Sequence, residues 1–145
     1  MKEGADAVLT QIYKAFEGVE LGSALGLMQS DYLDDCESAE ICLKLSEADE
    51  RDDWRKLTDD ALNFCDCLAF TDAEGYRFLI RALMCCDLRG CLWAYDLDFF
   101  ITCSEDWAEW SLTKTALLNE EQRRAMEAYL DFMLAEKEDG DRKWD

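Results

Sequence analysis

Arg77 and Arg81, in the stretch "GYRFLIRALM", raise the first chemical question in this chain. At i, i+4 spacing they share one helix face, where two guanidinium groups repel unless each reaches water or a carboxylate. Glu74 stands three residues before Arg77 on the same face, and Asp31, Asp34 and Asp53 supply carboxylates from neighbouring segments. A structural ion-pair network would use all of these. Left unpaired, the guanidinium fork suits a carboxylate or phosphate ligand. Arg77 is expected to be an ion-pair anchor and Arg81 to reach solvent.

Other chemistry is constrained more tightly. Histidine is absent, which removes every His-based acid, base, triad or metal site. A cysteine nucleophile would lack its usual base. No GxSxG elbow, P-loop or glycine-rich dinucleotide turn occurs, so no catalytic residue or cofactor is assigned. The eight cysteines include "CDC" at 65–67 and "CCDLRGC" at 85–91, neither of which has the paired C-x-x-C spacing of structural zinc. Cys85 and Cys86 would point about 100° apart on a helix, unable to share an ion. They read as reduced, buried thiols, and no metal is expected.

Acidic and aromatic clusters have plain readings as well. "SDYLDDCES", with Asp31, Asp34 and Asp35, lacks the glycine turn of a calcium loop and reads as a solvated face. "DERDDW" reads as a solvated turn, with Trp54 plugging the junction behind it. Trp93, Tyr95, Phe99, Phe100, Trp107 and Trp110 are good core material. Trp107 and Trp110 are the two expected at the surface, as anchors for a partner.

Charge narrows the partners. The chain has 145 residues, 34 acids against 15 bases and a formal charge of −19. Nucleic acid and anionic lipid would be repelled, and a protein with a basic face attracted. No run approaches the ~20 apolar residues of a membrane span. The N-terminal stretch is broken by Glu3, Asp6, Gln11 and Lys14 and lacks a signal's apolar run. A reducing cytoplasm is the expected setting.

The elements that must position these groups are helical. Proline is absent and only seven glycines occur, so breakers are few. Ala5, Leu9, Ile12 and Phe16 form one stripe, closed by Gly18. Further stripes run through Leu21, Leu25, Met28 and Tyr32, then Ile41, Cys42, Leu45 and Ala48. Thr58 reads as an N-cap, with Ala61, Phe64, Cys65 and Leu68 on the face behind it. "TDAE" reads as a capping box between Thr71 and Glu74, and Gly90 as the stop of the helix it begins. Between them the pattern is apolar nearly all round, the mark of a buried helix. Residues 91–117 leave helix and extended chain open, with Ser104 a possible cap. Asn119 caps a last helix whose stripe is Leu118, Ala125, Met126, Tyr129 and Met133. The pattern fades into an acidic tail, expected to fray from about residue 137.

Four stretches together suggest a relative: "LGSALGLMQSDYLDD", "DDWRKLTDDAL", "LAFTDAEGYRFLIRALM" and "LNEEQRRAMEAYLDFM". In this order they resemble an uncharacterised family of small bacterial helical proteins, a domain of unknown function. The family's block reads F-x-x-E-G-x-R-F-x-x-P-A-x-M, and "EGYRF" is its most specific part here. The resemblance covers about residues 21–133 and implies a bacterial, cytosolic origin and a helical fold; it implies no activity. Arg77 matches the block. Arg81 stands where the family has proline, which predicts a straighter helix here.

The expected fold is all-α, a single domain of five to seven helices around a central buried helix at about 72–88. The expected function is a non-enzymatic acidic interaction protein, of immunity or regulatory type, with a basic protein partner. The alternative is a small-molecule binder or enzyme with an Arg/carboxylate pocket around Arg77. The candidate binding residues are Asp31, Asp34, Asp53, Trp54, Glu74, Arg77, Trp107 and Trp110.

Overall fold

The computed structural model describes residues 4–28, 38–64, 71–94, 96–102 and 108–142, the side chains at 42, 46, 108–111 and 141–142 excepted. Among the described residues the chain forms seven α-helices and one short 3-10 turn, with no strand. In order these are α1 (Ala5–Ala15), α2 (Ala39–Ala48), the turn (Trp54–Lys56), α3 (Asp59–Phe64), α4 (Ala73–Leu88), α5 (Leu97–Thr102), α6 (Ala108–Thr115) and α7 (Glu120–Arg142). The fold is all-α, as its few breakers and helical periodicities require.

Helix α4 is the centre. It packs against α1, the Trp54 turn, α3, α5 and α6. Thirteen of its sixteen residues are buried. Its start lies one residue beyond the expected cap. Asp72, not Thr71, is the N-cap, its Oδ1 accepting from the Gly75 N–H at 2.8 Å. The second Asp72 oxygen accepts from the Leu25 N–H, while Thr71 is fully buried. A carboxylate here answers both the helix's orphan donor and a distant loop. Thr71, turned inward, is not the capping residue, and Glu74 is exposed.

Gly75 explains why the loop comes so close. A Cβ at this position would sit 2.5 Å from the Leu25 carbonyl oxygen, so only glycine admits that backbone contact. At the other end Gly90 has φ +75. Its N–H donates to Asp87 O at 2.8 Å, and that of Cys91 to Cys86 O at 2.9 Å. This is the Schellman stop. Arg81 keeps its place within an unbroken helix.

Helices α1 and α7 pack along one another. Their buried apolar residues are Ala5, Leu9 and Ile12 on one, and Ala125, Met126, Tyr129 and Met133 on the other, with Phe16 and Leu118 at the ends. The stripes read from the sequence are therefore the faces in contact. Asn119 and Gln122 cap α7 reciprocally, each side chain bonding the other's backbone N–H at 2.8 and 3.0 Å. Tyr129 donates to the Asp87 carboxylate at 2.5 Å, joining α7 to α4. Helical structure continues to Arg142, so the segment expected to fray from about residue 137 is helical that far. Lys137 within it bridges to Asp98 at 2.7 Å.

Three expected stripes change. Residues 21–26 are turn and irregular chain, with helix beginning only at Leu27; the buried set there is Leu21, Ala24, Gly26 and Leu27, while Met28 is exposed. Asp49 accepts from the Met28 N–H, and Arg51 donates to Gly22 O and Ala24 O. These long-range contacts, absent from any local pattern, hold the segment open. On α2 Ile41 and Ala48 are exposed and Leu45 half-buried. On α3 Leu62 and Asn63 face inward while Phe64 is 84% exposed. Within 91–117 the described residues form irregular chain at 91–94, then α5 and α6, while 95 and 103–107 lie outside the described residues. Ser104, Tyr32, Cys65 and Leu68 lie outside the described residues.

Candidate functional site

Arg81 is where sequence and structure part most sharply. It does not reach solvent: its side chain is fully buried. Nη1 donates to Phe16 O at 3.1 Å and Nη2 to Val19 O at 2.8 Å, just past the C-terminal end of α1. Carbonyls at a helix C-terminus carry partial negative charge, which suits a cation. Three rings enclose the guanidinium, with centroids 4.8 Å (Phe78), 5.0 Å (Trp54) and 5.9 Å (Phe16) away. Ring faces attract it through their quadrupoles. Burial first, then the charge of Arg77, pushes the Arg81 guanidinium down to about 9, so it remains charged at neutral pH. Its Nε has no hydrogen-bond partner.

Trp54 is thereby a lid on Arg81, buried as expected for a plug. Its turn is built locally. Asp53 accepts from the Arg55 N–H at 3.0 Å and grips the Arg55 guanidinium with both oxygens, at 2.8 and 3.1 Å. The Arg55 side-chain hydrogen bonds hold the Asp53 carboxyl below its usual range. Glu50 accepts from the Asp53 N–H at 2.9 Å. Asp53 is therefore spent on Arg55, not on Arg77.

Between the end of α1 and this turn lies a cleft of about 480 Å³. Tyr13 and Trp54 supply its aromatic surface, their centroids 5.1 Å apart. Glu17, Glu20 and Asp52 line it, and among the described residues none of the three makes an ion pair. Lys14 and Arg55 are its cations. With Asp53 and Arg55 paired, three carboxylates face one lysine, and the α1 C-terminus adds further negative potential. Arg81 forms the hidden support, since the Val19 carbonyl and Trp54 ring that it holds belong to cleft-lining residues. A second cleft of about 270 Å³ shares Tyr13, Trp54 and Arg55 with the first and reaches Asp59, Cys85 and Arg89.

Of the residues singled out from sequence, this site unites Asp53 and Trp54 only. Asp31, Asp34 and Trp107 lie outside the described residues, as does the side chain of Trp110. Arg77 is half-buried with its Nε unpartnered, and it makes no ion pair among the described residues. The expected anchor to Glu74 or Asp53 is not formed, because Glu74 faces solvent and Asp53 holds Arg55. Arg77 lines neither cleft.

Sequence reading missed Tyr13, Glu17 and Asp52, which look like ordinary surface residues until the Trp54 turn folds beside them. It also missed Asn63 and Phe64, and took Trp93 for core. Asn63 is buried and fully bonded: Nδ2 donates to Asp59 O and Cys91 O, and Oδ1 accepts from Trp93 N and Ala94 N, all within 3.1 Å. Trp93 and Phe99 are 78% and 69% exposed. Among the cysteines with described side chains, Cys85 and Cys86 are buried free thiols, each pushed up to about 12 chiefly by burial. No cluster of metal-ligating side chains occurs among the described residues. No helix among them is long and apolar enough to cross a membrane.

No curated protein and no solved structure matches this chain. A family model does, across residues 4–145. The chain belongs to that family, the family of unknown function DUF6714.

Proposed function

We propose that this is a non-enzymatic binding protein of the bacterial cytoplasm whose partner is a basic protein, with the Tyr13–Trp54 cleft receiving a lysine or arginine of that partner. The supporting observation is the trio Glu17, Glu20 and Asp52 around an exposed tyrosine at a helix C-terminus, none of them in an ion pair among the described residues. Carboxylates, an aromatic face and a negative helix end all favour a cation. A formal charge of −19 adds long-range attraction to the same class of partner. An immunity or regulatory role belongs to this class.

The test is capture from the host at low and moderate salt, using wild type and a Glu17→Gln, Asp52→Asn double variant. A basic protein should be retained at low salt, released as salt rises, and held at least about tenfold more weakly by the variant, the scale of lost charge pairs at an interface. Absence of any salt-sensitive basic partner would overturn the proposal.

A small-molecule or enzymatic reading around Arg77 has one observation in its favour, the unpartnered Nε. Against it, Glu74 and Asp53 do not converge on that group. An Arg77→Gln variant that leaves partner capture intact fits the first reading and not the second.

A further inference from the structure

Asn63 is the point of departure. A buried side-chain amide offers two donors and two acceptor sites, and here all four are used. They fasten the chain after α4 to the C-terminal end of α3. The two residues displayed at that joint are Phe64, next to the asparagine, and Trp93, whose N–H it holds at 2.8 Å. Both large rings stand in water, 84% and 78% exposed. Apolar rings held in water on a rigid joint gain nothing for the fold, and pre-set aromatic anchors are what tight interfaces use.

We infer that Phe64 and Trp93 form the centre of a docking surface for a segment of a partner protein bearing an apolar side chain flanked by lysine or arginine. The flanks specify the occupant. Asp60 is one helical turn before Phe64, on the same face and exposed, and Asp96 is exposed three residues after Trp93. The nearby cations are already engaged, Arg89 by Asp59 at 2.7 Å and Lys137 by Asp98 at 2.7 Å. Asp60 and Asp96 make no ion pair among the described residues. A second copy of the chain would bring a charge of −19 against −19 and acid against acid. Nucleic acid and anionic lipid meet the same repulsion. A basic, apolar-anchored protein segment meets none of it.

The inference shares with the proposed function the idea of a basic protein partner, but it uses other residues, and the two fail separately. Short random peptides displayed on phage are selected on the purified chain, and the enriched sequence is synthesised as a labelled probe. Its affinity is measured by fluorescence anisotropy for wild type, Phe64→Ala, Trp93→Ala and the Glu17→Gln, Asp52→Asn variant. The enriched peptides should pair an aromatic or aliphatic residue with lysine or arginine. Binding should weaken about thirtyfold or more in Phe64→Ala and Trp93→Ala, as for interface hot spots, and stay within about twofold in the cleft variant. Both alanine variants remove exposed groups, so their helical circular dichroism should match wild type.

Binding that survives Trp93→Ala and falls in the cleft variant would overturn this surface and leave the proposed function standing. Enrichment of neutral or acidic peptides, or of none, would overturn the surface. A dimer in sedimentation equilibrium that Trp93→Ala dissociates would make the occupant a second copy and overturn the partner assigned here.

Discussion

Replacing Arg81 by methionine tests the structural centre of the candidate site. The change removes two charge-assisted hydrogen bonds, at 3.1 and 2.8 Å, each worth about 1.5–3 kcal/mol. It also removes ring contacts worth about 0.5–2 kcal/mol. Against this stands the relief of a desolvated charge with no carboxylate partner, a penalty of several kcal/mol. The carbonyls left behind differ: Phe16 O keeps a bond from the Val19 N–H at 3.3 Å, whereas Val19 O loses the guanidinium. With the charge relieved but Val19 O left without that donor, the expected net loss at neutral pH is about 1–3 kcal/mol, the cost of an unsatisfied buried acceptor. Arg81→Lys should lose at least as much. A lysine ammonium is a strongly hydrated point charge that cannot bridge both carbonyls as the planar fork does.

Urea unfolding followed by circular dichroism gives both values by linear extrapolation. The gap between wild type and the methionine variant should widen as pH rises above 9. In the folded chain burial holds Arg81 at about 9, while the unfolded guanidinium keeps its higher ordinary value. The folded state therefore releases its proton first. The cost of the buried charge is complete below pH 9 and is relieved above it, which raises wild-type stability relative to the variant. A methionine variant as stable as wild type, or a lysine variant indistinguishable from it, would refute the claim that the guanidinium bridges these carbonyls.

Two further outcomes follow from packing and burial. Gly75→Ala should destabilise the fold by about 1–3 kcal/mol in the same assay, because its Cβ would meet a backbone carbonyl at 2.5 Å and not a flexible side chain; an unchanged midpoint would mean that the 21–28 loop can step away freely. Cys85 and Cys86, with thiols pushed up to about 12, should resist iodoacetamide at pH 8 in the native chain and react once urea unfolds it. Peptide-resolved mass spectrometry reads each site, and rapid native labelling of either would contradict their burial.

The features legible in the order of residues are those that local chemistry decides. Thr58 caps α3, its Oγ1 accepting from the Ala61 N–H at 3.2 Å. Gly90 stops α4, Asn119 starts α7, and the stripes of α1 and α7 are the faces that meet. Caps and stops use atoms a few residues apart, and a strong period has one face to bury. The buried central helix was legible for the same reason.

Tertiary structure decided everything that depended on which distant atoms arrive. Arg81 finds its carbonyl acceptors 65 and 62 residues away, so no local rule could tell a solvated arginine from a buried one. Asp72 displaced Thr71 as a cap because a carboxylate there also serves Leu25, 47 residues off. Phe64 lay on a plausible apolar stripe, yet its neighbour Asn63 took the inward place because the carbonyl of Cys91 and the amides of Trp93 and Ala94 were there to satisfy it. Periodicity reports how much apolar surface a helix carries. Which side of it is covered is set by the free energy of packing against the rest of the chain.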